Sequence, residues 1–395
     1  MRILTQPFHD YYKMSIEGVR TRDGHLIREF LHNDRVAGVH ILNRPLSLAE
    51  AVLRGRLKEV GVRGLVRTRT VSMEPDAKLS VTQVTLPHIF RPLLERRDYW
   101  ATALASQPAQ AAVATALKAP TTVLLLSNPF AFPLLKAVPR GTVVAFDAID
   151  DWLNHPEIRD SRGRIAEGYS RILERADVVV TNAEVMQSRL KDRGAREAHL
   201  VRNGVRSEWL EQPPWVPPSG PVVLGYAGKL AKRIDVKTLC GIAEKHPLWR
   251  IELAGPVLDA AWVAPLRKFG NVLWLGDRPH DELPELFRRW HVGLIPHNVG
   301  KLENGGHPIK LYEYLAIGIP VVTTPIGGVD VLGPIPFIAQ SGAPFVKAVE
   351  EALAPQQATA DAVSRRRAAV REWTWKRAAD QLVDLFDNAQ QQRKS

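Results

Sequence analysis

The segment Asn304-Gly-Gly-His-Pro-Ile-Lys-Leu-Tyr-Glu-Tyr-Leu-Ala-Ile-Gly-Ile-Pro320 gathers the most chemistry in the chain. Gly305 and Gly306 free the backbone, and Pro308 suits the first position of a helix. Unpaired N–H groups and the positive dipole end of that helix would face phosphate oxygens. Lys310 lies one turn in and can reach the same charge. Glu313 follows, and its carboxylate can accept two hydroxyl hydrogens at once, which suits a ribose diol. A short buried helix with a capping turn would need no ligand, but it leaves Gly-Gly, Lys310 and Glu313 together unexplained.

Four further clusters follow strand-like runs. In Gly225-Tyr-Ala-Gly-Lys-Leu-Ala-Lys-Arg-Ile-Asp235, Gly228 lets the backbone pass close to a ligand, and Lys229, Lys232 and Arg233 offer charge to a diphosphate. Alone, this is equally an ordinary turn with solvated lysines. In Ala145-Phe-Asp-Ala-Ile-Asp-Asp-Trp-Leu-Asn-His155, the carboxylates of Asp147, Asp150 and Asp151 could act as a base or orient an acceptor hydroxyl. A helix cap in a solvated loop is the plainer alternative. The loop after the first strand offers His9 and Asp10 as acceptor-pocket groups. Arg278, in Leu275-Gly-Asp-Arg-Pro-His-Asp-Glu282, could pack near a base through its planar side chain.

These clusters need a scaffold, and the apolar pattern supplies one. Arg2–Thr5, Val36–Leu42, Thr121–Leu126, Thr142–Phe146 and Val178–Thr181 read as buried strands. So do Val222–Tyr226, Arg250–Ala254, Val272–Leu275, Val292–Pro296 and Pro320–Thr323. Amphipathic segments lie between them, at about 165–175, 183–192, 234–245, 281–290 and 308–317. Strand–helix alternation with continuous apolar strands predicts parallel sheets covered on both faces, an α/β class of two doubly wound Rossmann-like domains around a central cleft. Ligands in such sheets sit outside the carboxyl ends of the strands, where the clusters fall. Five prolines within Glu211–Pro221 predict a stiff linker about which the domains would close. The expected division is 1–210, linker 211–221, 222–372 and a last helix over 373–395. The stretch 60–120 gives no clear pattern.

Composition narrows the classes. Apolar residues are 45% and charged residues 24% of 395, which are globular values. A lone cysteine, Cys240, allows no disulfide within the chain, which fits a cytoplasmic setting. No signal-peptide core or apolar run long enough to span a bilayer is present. Fingerprints for dinucleotide binding, P-loops, nucleophile elbows, H-E-x-x-H and D-x-D are absent, so no tightly bound metal is expected. The net charge is +11, densest at Arg54, Arg56, Lys58, Arg63, Arg67 and Arg69. A solvated basic face explains this stretch as readily as attraction to an anionic surface. Aromatics are sparse there, which argues against nucleic acid as a partner.

The ordered set Gly-Tyr-Ala-Gly-Lys-Leu, Trp249–Gly255, Asn271–Gly276 with Leu283 and Leu286, His291–Pro296 and His307–Leu315 resembles the nucleotide-sugar-binding half of GT-B glycosyltransferases, family 4-like. The likeness is good over about 220–390 and weak over 1–210. It implies a last helix, begun by Trp373-Thr-Trp-Lys376, that crosses back to the first domain. It also implies transfer of a sugar from a nucleoside-diphosphate donor, a UDP- or GDP-sugar, with Glu313 as the ribose carboxylate. Gly305 stands where the family usually has a second Glu, so His307 or the amides of Gly305 and Gly306 would meet the donor sugar instead. On this reading Asp150 is the acceptor-side carboxylate, with Asp147 or Asp151 as alternatives. The enzyme would be peripheral on the inner membrane face, with a lipid-linked acceptor in polysaccharide or envelope-glycan synthesis. The alternatives are a nucleotide-sugar epimerase on the same fold, or a non-catalytic basic binding or scaffold protein.

Overall fold

A computed structural model describes residues 1–56, 78–119, 121–155, 160–300 and 306–394, together with the backbone of 66–70. The chain divides into two compact units. The first is Met1–Val201 with Ala378–Ser395; the second is Arg202–Arg377.

The first unit holds β1 (Arg2–Gln6), β2 (Gly38–Leu42), β3 (Leu46–Ser47), β4 (Val66–Thr70), β5 (Leu79–Leu86), β6 (Thr122–Leu126), β7 (Val143–Ala148), β8 (Val178–Thr181) and β9 (His199–Leu200). They pair in the order β3-β5-β2-β1-β6-β7-β8-β9, parallel throughout, with β4 added antiparallel to β5. Central strands such as TVLLL of β6 are buried along their whole length, as a sheet covered on both faces requires. Helix Arg162–Arg175 shows how the cover is made. Ile165, Gly168, Tyr169, Ile172 and Leu173 share one buried face. A Cβ on Gly168 would lie 2.2 Å from the Pro129 carbonyl oxygen, so only glycine lets these two backbones approach so closely.

The second unit holds β10 (Val223–Ala227), β11 (Arg250–Ala254), β12 (Val272–Gly276), β13 (Val292–Ile295), β14 (Val321–Thr323) and β15 (Phe337–Ile338). All are parallel, in the order β12-β11-β10-β13-β14-β15. One core, with Phe287, Trp290, Leu311 and Tyr314, and another, with Leu239, Ile251, Leu294 and Phe345, fill its two sides.

The last helix, Trp375–Gln392, joins the first unit from Ala378 onward. Ala378, Ala379, Leu382, Val383, Phe386 and Ala389 form its buried face, and Phe386 meets Phe30 at 6.4 Å between ring centres. Its polar side is tied by Asn33 to Asp380 at 2.8 Å and Arg35 to Asp384 at 2.6 Å. The crossing back expected from the resemblance is therefore present.

The boundary differs from the expected one. It falls at Val201/Arg202, not at 211, and the proline-rich stretch belongs to the second unit. Trp215 is the reason. Its ring is buried, its Nε1 donates to the Trp290 carbonyl at 3.0 Å, and its amide donates to the Ile317 carbonyl at 3.0 Å. Arg367 also donates to the Gln212 carbonyl at 2.8 Å. A segment so bonded is a strap, not a free linker. The unreadable stretch 60–120 contains β5 and the helix Gln107–Ala116.

Candidate functional site

Three strands of the second sheet end in glycines that no side-chain-bearing residue readily replaces. Gly228, Gly255 and Gly276 follow or close β10, β11 and β12 with φ of 146°, 140° and 69°. The Gly228 amide donates to the Ala254 carbonyl at 2.8 Å, and the Gly255 amide to the Gly276 carbonyl at 2.7 Å. A Cβ on Gly255 would lie 2.0 Å from the Gly228 oxygen, and one on Gly228 would lie 2.7 Å from Lys310 Nζ. The carboxyl end of the sheet is thus a bare backbone platform with Lys310 against it.

Lys310 projects from helix Ile309–Ile317, whose residues 311–317 are all buried. The helix is fixed to β10 by Tyr314, whose hydroxyl accepts from the Ala227 amide at 2.9 Å. It ends at Gly318 in the left-handed region, φ 101°, as its sequence predicts. Pro308 stands one place earlier than expected, at the cap. Lys310 Nζ donates to the Tyr226 hydroxyl at 3.0 Å and lies 4.2 Å from that ring's centre. His297 Nε2 is 3.4 Å from the same hydroxyl.

The electrostatics of this cluster are one-sided. Burial and the nearby Arg233 charge hold the Lys310 ammonium down at about 7, while Glu313 opposes them. Burial, Lys310 and Arg233 push His297 well below its usual value. Burial pushes the Tyr226 phenol up to about 12. A site where cations suppress one another is short of an anion, and a bound diphosphate would relieve it.

Glu313 lies one helical turn beyond Lys310, almost buried. Its Oε1 is 2.7 Å from His280 Nε2, and the His280 ring stacks on Trp209 at 4.9 Å. The carboxylate is therefore held in one orientation by a histidine that is itself held. Arg278, in the same loop, is nearly half exposed and 3.9 Å from Glu282. Lys229 and Arg233 are exposed near the platform, and Gly306 is half-buried. Gly305 lies outside the described residues.

His307, expected at the donor sugar, is packed against its own helix. It is buried, its Nε2 is 2.6 Å from the Tyr312 hydroxyl, and its ring stacks on Tyr312 at 4.9 Å. Its carbonyl accepts from Asn203 at 2.7 Å. These contacts make it a packing pillar for the turn before the helix.

In the first unit the three aspartates part company. Asp147 is buried on Arg22, whose Nε donates to its two oxygens at 2.9 and 3.1 Å. Burial pushes its carboxyl up, against Arg22. Asp151 is fully buried between Arg189 at 2.6 Å and Arg193 at 2.9 Å, with Asn154 on the same oxygen as Arg189 at 2.6 Å. Both hold the loop together and are committed as ion-pair anchors. Asp150 is partly exposed, and its carbonyl accepts from the Tyr169 hydroxyl at 3.0 Å. No side chain among the described residues pairs with its carboxylate.

Asp10 is likewise structural. It caps helix Tyr11–Glu17 by accepting from the Tyr12 amide, and Arg56 and Asn43 bind it. Burial raises its carboxyl, but Arg56 and these hydrogen bonds outweigh burial and hold it below its usual value. Arg56 is thereby removed from the basic surface expected over 54–69. Lys58 and Arg63 lie outside the described residues, as do the side chains of Arg67 and Arg69. His9 is partly exposed, with Nδ1 3.1 Å from both oxygens of buried Asp23. Burial raises Asp23, but His9 and the surrounding hydrogen bonds bring it well below the usual carboxylate range.

Residues 234–384 match the profile of a family described as glycosyl transferase-like. The match takes in most of the second unit and the first turns of the last helix beyond it. The putative teichuronic acid biosynthesis glycosyltransferase TuaH of Bacillus subtilis is 27% identical over 210 residues, 49% of this chain. The chain spans about half the length of that relative, 53%. Among solved structures, sucrose-phosphate synthase from Thermosynechococcus elongatus superposes with a TM-score of 0.69 at 14% identity, covering 98% of each chain. Anabaena HepE, solved with UDP and glucose, gives 0.67 at 15% identity over 98% of this chain and 100% of the other. The two-unit GT-B architecture implied by the resemblance is therefore the fold of this chain.

Tyr226, His297, His280 and Asp23 are functional candidates that the sequence alone does not single out. Tyr226 and His280 sit inside two of its chemical clusters, beside Gly228 and Arg278. Their partners, Lys310 and Glu313, lie 84 and 33 residues away, so spacing carries no sign of them.

Proposed function

We propose that the chain transfers a sugar from a nucleoside-diphosphate donor, a UDP- or GDP-sugar, to a sugar acceptor. The observation that carries this reading is the glycine platform ending β10, β11 and β12 with Lys310 against it and Glu313 one turn further along the same helix. The bare platform lets the diphosphate approach the backbone and Lys310 binds it, with Lys229 and Arg233 at its edge. As the sugar–phosphate bond breaks, negative charge grows on the leaving diphosphate, and these fixed donors stabilise it. Glu313, oriented by His280, accepts from the ribose hydroxyls. Arg278 lies at the outer edge of the same loop, towards the base.

On the acceptor side two first-unit groups can take the hydroxyl proton. Asp150 is one. His9 is the other: in the neutral tautomer that donates from Nδ1 to Asp23, the lone pair that can accept a proton is on Nε2. The acceptor in this reading is lipid-linked, in envelope-glycan assembly, and the protein works at an anionic membrane surface. TuaH, by its name, serves teichuronic acid biosynthesis, which supports this class of product.

Thermal shift against UDP, GDP, ADP, dTDP and CDP tests the donor side. A ligand at 100 times its Kd adds about 2.7 kcal/mol to stability. One nucleotide should raise Tm, and Glu313→Ala should abolish that rise. No rise with any nucleotide would sink the reading. Sugar release on nucleotide-sugar turnover then separates His9→Ala from Asp150→Asn: the group that takes the proton loses turnover while donor binding stays.

A further inference from the structure

We propose that the ring receiving the sugar is itself uncharged, and that Asn128, Trp152 and Asn182 at the carboxyl edge of the first sheet hold it through its hydroxyls. This names the acceptor's chemical class and rests on the transfer reading for the ring's role. None of the three residues takes part in the chemistry assigned above.

Three adjacent strands carry them. Asn128 follows β6 by two residues, Trp152 follows β7 by four, and Asn182 follows β8 directly. The strands lie side by side in the order β6-β7-β8, and their registers align Leu126 with Phe146 and Ala148 with Thr181. Two strand spacings, about 10 Å, separate the ends of β6 and β8, a span within which one hexose ring and its hydroxyls fit.

Each of the three residues is more than nine-tenths buried, yet each leaves one polar atom without a hydrogen-bond partner: Asn128 Oδ1, Trp152 Nε1 and Asn182 Oδ1. The fold gives these atoms no other work. Asn128 spends its amide nitrogen on Gln6 Oε1 at 2.6 Å, which leaves the oxygen as the open end. Asn182 precedes helix Glu184–Asp192, but that helix begins at Ala183 with no side-chain cap. The Trp152 ring packs on Phe8 at 4.5 Å, and Phe8 meets His9 at 4.9 Å. Trp152 thus adjoins both groups that can take the acceptor's proton, His9 through Phe8 and Asp150 two residues before it. Buried polar atoms without partners are scarce in native folds, because each has given up its bonds to water. Three of them on neighbouring strands, at the edge where parallel sheets bind ligands, call for a molecule that supplies the missing bonds.

The chemistry of those bonds selects the molecule. Two of the atoms are acceptors and need donors, while the third is a donor and needs an acceptor. Sugar hydroxyls do both. An ionised phosphate or carboxylate can only accept, and would leave both asparagine oxygens bare. Charge agrees. Arg22 is matched by Asp147 at 2.9 Å, Arg44 by Glu50 at 2.9 Å, Arg56 by Asp10, and Arg189 and Arg193 by Asp151. Asp150 is the carboxylate left over at this edge, and its charge repels an anion.

The test is saturation-transfer NMR on the full chain, without donor, against the methyl β-glycosides of glucose, galactose, mannose and N-acetylglucosamine. Glucose 6-phosphate and methyl glucuronoside serve as anionic probes. At least one neutral glycoside should bind, and both anionic probes should bind at least fivefold more weakly. Asn182→Ala should weaken the neutral glycoside at least fivefold without lowering Tm, because it removes an atom that the empty fold leaves unpaired. Trp152→Phe, which keeps a ring and removes only the indole donor, should weaken it likewise. Three outcomes would overturn the proposal: no neutral glycoside bound, an anionic probe bound as tightly as the best neutral one, or binding indifferent to both substitutions. Nucleotide thermal shift on the same samples separates the two readings, since an intact donor response without glycoside binding overturns this proposal alone.

Discussion

Lys310 makes donor binding a proton-linked event. Its ammonium titrates at about 7 because burial and Arg233 disfavour the charge. A diphosphate beside Nζ favours that charge, so the bound state keeps its proton to higher pH. Free protein must take up a proton to bind, and above pH 7 fewer molecules carry it. With a free value near 7, about half of Lys310 is charged at pH 7 and about one part in a hundred at pH 9. Affinity for a nucleotide-sugar, whose diphosphate carries no proton titrating in this range, should fall about 50-fold, or about 2.3 kcal/mol. Isothermal titration calorimetry in two buffers of different ionisation heat should read uptake approaching one proton near pH 8.5. Lys310→Met should bind weakly and show neither effect. A parent affinity constant within threefold from pH 6.5 to 9 would refute the reasoning.

Two other perturbations test the architecture. Gly255→Ala places a Cβ 2.0 Å from the Gly228 oxygen at a φ of 140°, so urea unfolding should show a loss of more than about 1 kcal/mol, with nucleotide response weakened alongside. Asp151→Ala strands Arg189 and Arg193 and should cost about 3 kcal/mol, the low end for a broken buried pair because both arginines keep some contact with water. Asp150→Asn should leave the unfolding free energy within about 0.5 kcal/mol of the parent's.

What could be read from the sequence was local. Strands β8 and β11 match their expected bounds, because the VVVT run and the alternating Ile251, Leu253 of RIELA between turn signals leave little choice. Helix Ile309–Ile317 was visible from Pro308 and Gly318. β5 was not, since LSVTQVTL mixes Thr and Gln into a strand that is nonetheless buried from Val81 to Leu86. Those polar groups are satisfied by distant partners: Gln83 donates to the Arg44 carbonyl, and His40 meets Thr82. The same limit separated Asp150 from its neighbours. All three aspartates look alike in AFDAIDD, and only Arg22, Arg189 and Arg193, 38 to 125 residues away, distinguish the two ion-paired carboxylates from that of Asp150. Proline content misled over 211–221 because it reports stiffness, and a stiff segment packs as readily as it spans.

The return of the last helix sets an order on synthesis. The first unit needs Leu382, Val383 and Phe386 to close its surface, yet a ribosome delivers them only after the whole of residues 202–377. At 5–20 residues per second that interval is about 10–35 s. During it the face around Phe30 stays uncovered on a nascent unit whose other core residues are already available. The first unit to emerge is thus the last to be completed, and loss of the final 18 residues would leave every nascent chain in that unfinished state.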